Sequence, residues 1–329
     1  MPTRLSPALF RATLFALFTL ASAQAGAAEA LRIAAQKTGT LGWELAVARA
    51  FALDAQAGLD LQVTELASPE AGKIALQGGS ADVIVSDWLY VARERADGAK
   101  LTLAPYSTSI GAVMTKDAAI KSVKDLAGKK LGVAGGAVDK SWLLLKAFAL
   151  KNGVDLEKGA VVFYGAPPLI AEKLAQGELD AALEFWNFAA DLEGQGFRRA
   201  IELVDVEQAL GAKGAPVVTG YVFTDDFAAR HADALTRFLA LGQKARALIA
   251  SDDKAWDIVA ARLGKKDKTT LDLYRKRYVA GFPTRSAAEE EKDAAVLYRA
   301  LVEIGGERLV GKAKTLDPKT FYTASETKR

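Results

Sequence analysis

The chain has 329 residues, which is enough for about two domains with a large apolar core. Half of its residues are hydrophobic and a quarter are charged, and 43 basic residues nearly balance 40 acidic ones, so a disordered chain and a nucleic-acid-binding or anionic-membrane-binding protein are disfavoured. Cysteine is absent and His231 is the single histidine, which excludes disulfides and thiolate chemistry and leaves little room for a zinc site or a histidine-based triad.

The N-terminus has the pattern of a secretory signal. Arg4 and Arg11 precede an apolar run over residues 12–23, which is followed by a stretch of small residues with an A-x-A site. The apolar run is well short of the ~20 residues needed to span a bilayer. We therefore predict a signal peptide over residues 1–28 and a periplasmic protein that is free of the membrane after cleavage.

The mature chain begins with alternating strand and helix patterns. Ser68 followed by Pro69 is a typical helix start, because serine caps free backbone amides and proline suits the first turn. The alternation predicts a parallel sheet covered by helices, and from residue 225 onward the pattern is mainly helical. The predicted elements are strands over 31–34, 59–66 and 83–85, and helices over 43–56 and from 69 to the Gly78-Gly79 pair.

An internal repeat relates two stretches of about 100 residues. Leu31-Arg32-Ile33-Ala34 followed by Trp43 matches Leu131-Gly132-Val133-Ala134 followed by Trp142. The pattern Gly-x-x-Asp-x5-Trp ends at Trp88 in the first stretch and again at Trp186 in the second. The repeat predicts two α/β units built to one plan.

The repeat places four tryptophans at equivalent positions. In open α/β sheets ligands bind beyond the carboxyl ends of the strands, and Trp43, Trp88, Trp142 and Trp186 each follow a strand. We therefore expect all four to line one cleft between the units, where aromatic walls suit a ring, an aliphatic chain or a cation. The alternative is that each tryptophan packs a loop onto its own unit.

Acidic residues accompany these tryptophans. Glu44, Asp87, Asp139 and Glu184 each lie within three residues of one of them, which favours a ligand carrying an amine or another cation. The glycine-rich loop before Asp139 leads into a helix whose N-terminus suits a sulfonate, carboxylate or phosphate. A zwitterion satisfies both features, and helix capping is the structural alternative for the carboxylates.

The order of motifs resembles the nitrate/sulfonate/taurine (NitT/TauT) class of substrate-binding proteins of ABC transporters. The resemblance covers about residues 31–225 and is carried by A-L-Q-G-G-S-A-D-V (75–83), I-K-S-V-K-D-L-A-G-K-K-L-G-V (120–133) and L-A-Q-G-E-L-D-A (174–181). It implies an α/β, two-lobe periplasmic binding protein fold of type II, with two similar lobes joined by two crossing strands and a helical C-terminal part. The lobes would be 31–111 plus 221–329, and 112–220.

The resemblance also implies ligand contacts in the loops that follow the strands. Together with Trp43 and Trp142, these give the candidate site: Thr38, Gly39, Thr40, Ser86, Asp87, Trp88, Ser107, Thr108, Gly136, Ala137, Val138, Asp139, Glu184, Trp186 and Asn187, with Tyr221 at the floor.

The function implied is an exported, monomeric receptor that delivers a small organic molecule to an ABC permease and its ATPase. A sulfonate or taurine-like ligand and an amine-bearing heteroaromatic ligand both remain open, and no metal, cofactor or nucleic-acid partner is expected. Two alternatives use the same fold. One is an enzyme resembling thiamine-pyrimidine synthases, and the other is a sensor that docks on a membrane receptor.

Overall fold

Ten strands form two five-stranded sheets in the computed structural model, which describes residues 28–264 and 266–323. The predicted signal peptide lies outside the described residues except for Ala28. The strands are β1 Glu29–Gln36, β2 Leu59–Leu66, β3 Val83–Asp87, β4 Leu101–Ser107, β5 Ala112–Thr115, β6 Lys130–Ala134, β7 Val161–Gly165, β8 Ala181–Glu184, β9 Arg198–Glu202 and β10 Thr219–Thr224.

The two sheets have the same plan. The first has the strand order β2-β1-β3-β10-β4 and the second has the order β7-β6-β8-β5-β9. In each sheet the first three strands run parallel, and the fourth runs antiparallel to both of its neighbours. The equivalence follows the sequence repeat, because β1 and β3 of the first sheet correspond to β6 and β8 of the second.

Fifteen helices complete the described part of the chain. They are α1 Leu41–Ala50, α2 Leu53–Gln56, α3 Pro69–Gln77, α4 Trp88–Ala96, α5 Lys140–Lys151, α6 Leu156–Gly159, α7 Pro167–Ala175, α8 Trp186–Gly194, α9 Leu203–Ala209, α10 Asp225–Arg230, α11 Ala232–Ser251, α12 Asp253–Leu263, α13 Lys268–Ala280, α14 Ala287–Gly305 and α15 Glu307–Val310. Two 3₁₀ turns cover Val123–Leu126 and Pro318–Thr320.

Local sequence explains where several of these helices begin and end. The Ser68 side chain accepts a hydrogen bond from the backbone N–H of Ala71, so it caps α3 as its position before proline predicts. The single helix predicted over 43–56 is instead α1 and α2. The two are separated at Ala52, which adopts a left-handed conformation with φ 53°.

The C-terminal helices pack on both halves of the molecule. α11 and α12 contact α1 beside the first sheet, whereas α13 contacts α8 and α14 contacts α5, helices that follow strands of the second sheet. The predicted lobe limits stay a prediction, and the limit between 220 and 221 falls inside β10. None of the described helices combines the length and the apolar character that a membrane crossing requires.

The chain passes from the first sheet to the second between β4 and β5, and Gly111 lies at this crossing. A Cβ atom added to Gly111 would lie 1.6 Å from the carbonyl oxygen of Glu184, on the end of β8. Backbone cannot yield as a flexible side chain can, so this close approach requires glycine.

We expect Gly111→Ala to lower the free energy of unfolding by about 1–3 kcal/mol or more, as overpacking against fixed atoms does. Urea unfolding measures this change. Gly159→Ala is the matched control, because nothing lies within 4 Å of a Cβ atom at that position. Wild-type stability of Gly111→Ala would contradict the steric account.

Candidate functional site

A cavity of about 120 Å³ lies where the ends of the two sheets meet. The loops that line it follow β1, β3 and β4 of the first sheet and β6 and β8 of the second, so it lies beyond the carboxyl ends of parallel strands in both. Thr219, at the start of the antiparallel strand β10, also lines it. Both halves of the sequence repeat therefore contribute equivalent loops to one space.

Half of the residues predicted for the site line this cavity. They are Thr38, Gly39, Thr40, Ser86, Asp87, Ser107, Asp139, Trp186 and Asn187. Other lining residues were not predicted as site residues, and among them are Gln36, Lys73, Tyr106, Ser109 and Phe188. Two of these directly follow a predicted residue, since Ser109 follows Thr108 and Phe188 follows Asn187.

The prediction that four tryptophans line the cavity is wrong for three of them. Trp43, Trp88 and Trp142 are 3%, 2% and 0% exposed, and none lines the cavity. Each lies in the first turn of a helix, where its large apolar side chain packs into the core beneath the loop. Trp186 alone of the four faces the cavity.

The other predicted residues lie around the cavity without lining it. The backbone N–H of Thr108 donates to the carbonyl oxygen of Gly281 at 2.9 Å. Glu184 and Tyr221 are buried. Gly136, Ala137 and Val138 belong to the loop before α5, where Ala137 and Val138 are exposed.

The cavity wall carries two carboxylates and two ammonium groups. Asp87 caps α4 by accepting from the N–H of Tyr90 at 2.8 Å, and Asp139 caps α5 by accepting from the N–H of Ser141 at 2.9 Å. Burial raises the pKa of Asp139, the nearby Lys140 ammonium opposes that shift, and the charge of Asp87 adds to it. The two carboxylates are therefore close enough to interact.

The lysines lie over aromatic rings as well as beside the carboxylates. The Lys140 ammonium is 3.9 Å from an Asp139 oxygen and 4.8 Å from the ring centroid of Phe185. The Lys73 ammonium lies 4.8 Å from the ring centroid of Tyr90, on the side of the first sheet. Each half of the site thus supplies one carboxylate and one ammonium group.

Glu184 lies behind the cavity, at the end of β8, and is fully buried. Neither of its carboxyl oxygens has a hydrogen-bond partner among the described residues. Burial raises its pKa well above the ordinary value; the backbone N–H of Phe185, which lies nearby without ordinary hydrogen-bond geometry, opposes that shift, and the negative charge of Asp139 adds to it. The folded protein therefore favours the neutral acid form of Glu184.

A polar network supports the wall on the side of the first sheet. The hydroxyls of Thr40 and Tyr106, which both line the cavity, are 2.8 Å apart. Deeper in, the Tyr221 hydroxyl donates to Glu44 at 2.7 Å and the Tyr278 hydroxyl donates to the other Glu44 oxygen at 2.6 Å. Burial raises the pKa of Glu44, although these hydrogen bonds and a nearby arginine oppose the shift.

Trp186 is supported by other aromatic rings. Its ring stacks on Tyr278, with centroids 6.2 Å apart, and meets Trp43 edge to face at 5.9 Å. Trp43 therefore positions the one tryptophan that faces the cavity, although it does not reach the cavity itself.

Direct contacts join the two sides of the cavity. The Asn187 side-chain amide donates to the carbonyl oxygen of Thr38 at 3.2 Å, which links the start of α8 to the loop after β1. Below it, Arg277 on α13 pairs with Glu193 on α8 at 2.6 Å. Lys266 also pairs with Asp191 of α8.

Comparisons with known proteins identify the architecture. The model of the NMT1/THI5-like family matches residues 48–255, which is more than half of the chain. The alkanesulfonate-binding protein SsuA from Xanthomonas axonopodis pv. citri, solved with bound MOPS, superposes with a TM-score of 0.70 at 18% identity, over 89% of this chain and 98% of that one. No curated protein sequence matches this chain.

Two further solved structures have the same architecture. The periplasmic aliphatic sulphonate binding protein SsuA from Escherichia coli gives a TM-score of 0.66 at 21% identity, over 86% of this chain and 94% of that one. The ligand binding component of an ABC-type import system from Staphylococcus aureus gives 0.66 at 13% identity, over 91% and 98%. The predicted two-lobe periplasmic binding protein fold is confirmed.

The buried acid gives a pH-dependent prediction. Glu184 of the unfolded chain ionises near its ordinary pKa of 4.5, whereas folding keeps it neutral, so the folded state binds more protons above that pH. Relative to Glu184→Gln, wild type should lose stability as pH rises from about 4.5. The loss should approach about 1.4 kcal/mol per pH unit until the pKa in the folded state is reached.

Urea unfolding of both proteins at about pH 4.5 and about pH 7 measures this difference. Glu303→Gln, which removes an exposed carboxylate from α14, is the matched control. A difference between wild type and Glu184→Gln that stays constant with pH would show that the buried acid ionises normally.

Proposed function

We propose that this chain, which belongs to the NMT1/THI5-like family and is a NitT/TauT-type substrate-binding protein, captures a small organic ligand in the cavity between its lobes. We further propose that it delivers the ligand to an ABC permease and its ATPase. The single observation that carries the proposal is the cavity itself, because equivalent loops from both halves of the repeat supply its lining.

We propose that the ligand is zwitterionic, with an amine and an acidic group, as in a taurine-like aminosulfonate. Asp87 and Lys73 lie on one side of the cavity, and Asp139 and Lys140 lie on the other. A ligand amine would pair with the carboxylates, and its acidic group would pair with the ammonium groups. The start of α8, whose first residues line the cavity, adds backbone N–H groups suited to an anion.

The ligand would act by stabilising the closed arrangement of the lobes. We propose lobes of 31–111 plus 221–329, and 112–220, that move about the two crossings of the chain. Opening them would break the Asn187–Thr38 hydrogen bond, the Arg277–Glu193 ion pair between α13 and α8, and the ion pair of Lys266 with Asp191 of α8. A ligand held by both sides raises the population of the closed state by its differential affinity for it.

Export and oligomeric state are part of the same proposal. The signal pattern over residues 1–28 supports a periplasmic location, and the relative from Escherichia coli is described as periplasmic. We propose that the mature protein acts as a monomer. Its mass in solution by light scattering tests this.

We propose binding without turnover. The single histidine, His231, lies 2.9 Å from Glu29 through its Nδ1 atom and stacks on Phe227, and it is not among the residues that line the cavity. The chain also has no cysteine to serve as a nucleophile. Mass spectrometry of a bound ligand after long incubation tests this, since chemical conversion would favour the enzyme alternative.

The ligand class is tested by calorimetry with taurine, ethanesulfonate, ethylamine and an aminopyrimidine. We expect taurine to bind more tightly than either singly charged analogue. Asp139→Asn and Lys73→Gln should each weaken taurine by ~1.5–3 kcal/mol, which is tenfold or more, because each removes a charged hydrogen-bonding partner. Asparagine still caps a helix, so Asp139→Asn should keep α5 intact.

Lys124→Gln is the matched control, since this exposed lysine lies outside the cavity. If ethanesulfonate and taurine bind equally and Asp139→Asn has no effect, the ligand is a simple anion and the zwitterion proposal is wrong. Binding of the aminopyrimidine alone would favour the heteroaromatic class. Uptake of a labelled ligand by cells with and without the gene tests delivery to an importer.

A further inference from the structure

A second cavity, of about 490 Å³, lies against β4, β10 and α11 and shares no lining residue with the first. The residues that line it are mostly apolar, with Leu239, Phe282 and Pro283 among them. Its charged lining residues are Arg246 and Arg285, and no aspartate or glutamate of the described chain lines it. The apolar lining and its two arginines therefore favour a ligand with an apolar body and a negative charge.

Arg246 is the unusual residue of this cavity. It is 8% exposed, and its guanidinium makes two long hydrogen bonds, 3.4 Å to the carbonyl oxygen of Tyr106 and 3.5 Å to the Tyr221 hydroxyl. The guanidinium also lies 5.5 Å from the ring centroid of Tyr106 and 6.0 Å from that of Tyr221. No other hydrogen bond of this guanidinium is found among the described residues, so most of its five N–H donors are left for another partner.

No ion pair within 4.0 Å balances this charge among the described residues. Glu44 interacts with Arg246 electrostatically and through the Tyr221 hydroxyl that lies between them, but it makes no direct ion pair with the guanidinium. Arg285, in contrast, pairs with Asp293 at 2.8 Å, so its charge is already compensated. A buried charge is costly unless it is paired directly, and Arg246 is one of the residues that line this cavity.

We propose that the second cavity binds a small amphipathic carboxylate or sulfonate, anchored by Arg246 in a bidentate ion pair. The planar guanidinium fork matches the two oxygens of such a group. The apolar residues around it would cover the ligand's hydrocarbon body. This site is separate from the first cavity and does not depend on the function proposed for that cavity.

Fluorine NMR with 4-(trifluoromethyl)benzoate as the probe tests this site on the mature protein. We expect saturable binding with a dissociation constant of about 1 mM or tighter, and binding of 4-(trifluoromethyl)benzyl alcohol that is at least about tenfold weaker. Arg246→Gln should weaken the benzoate by about tenfold or more.

Arg246 is buried, so Arg246→Gln could fail to fold, and a second variant at an exposed position tests the site independently. Ala247→Trp adds bulk at an exposed residue that lines the cavity, and it should also weaken the probe by about tenfold or more. Lys244→Gln removes a neighbouring exposed charge outside the cavity and should leave binding unchanged. Trp186→Ala, in the first cavity, should leave it unchanged as well.

Three results would each overturn the proposal. The first is an absence of saturable binding up to about 10 mM probe. The second is binding that Ala247→Trp leaves unchanged or that Trp186→Ala abolishes, since the probe would then occupy a different place. The third is equal binding of the benzoate and the neutral alcohol, which would remove the role of the guanidinium.

Discussion

Glu44 is almost fully buried on α1, and its carboxyl group joins elements that are far apart in sequence. One oxygen accepts from Tyr221 on β10 and the other from Tyr278 on α13. α1 follows the first strand of the chain, β10 returns the chain to the first sheet, and α13 packs against α8 of the second half. This buried acid thus links the wall of the first cavity to α13, the helix that contacts α8 of the second half. Losing one hydroxyl partner would leave part of a buried polar group unsatisfied.

The charged residues that line the first cavity are aspartates and lysines. Asp87 and Asp139 both cap helices, so backbone N–H groups offset part of their negative charge. The ammonium groups of Lys73 and Lys140 each lie over an aromatic ring, and that of Lys140 is 3.9 Å from an Asp139 oxygen, which is a long distance for an ion pair. A site of this kind is close to neutral as a whole but strongly polar in its parts. The proposed site would therefore select a ligand by the arrangement of the ligand's charges more than by its net charge.

The sequence predicted the architecture better than the identity of the cavity wall. The alternation of strands and helices, and the glycines that end helices, can be recognised from short stretches of sequence. The strand predicted over 59–66 accordingly has those limits in the structure. Which way a side chain faces in the first turn of a helix depends on tertiary packing. Trp43 and Trp142 therefore pack inward although the strands before them point to the cavity. Lys73 lies on α3 at no distinctive position, and only the folded chain brings it to the site.

The contacts between α8 and α13 bear on how much free energy a ligand would have to contribute to the proposed closure. α8 is held to α13 by the Arg277–Glu193 pair and by the stacking of Trp186 on Tyr278, and neither contact involves a ligand. Under the proposed closure these interactions would favour the closed arrangement, so the ligand would need to supply only the remaining difference in free energy between the open and closed states. Trp186 belongs both to the contact with α13 and to the cavity wall, because its ring stacks on Tyr278 and the residue lines the cavity. On the proposed mechanism, a ligand in the cavity would contact the same tryptophan that joins α8 to α13, so ligand binding and closure would be coupled.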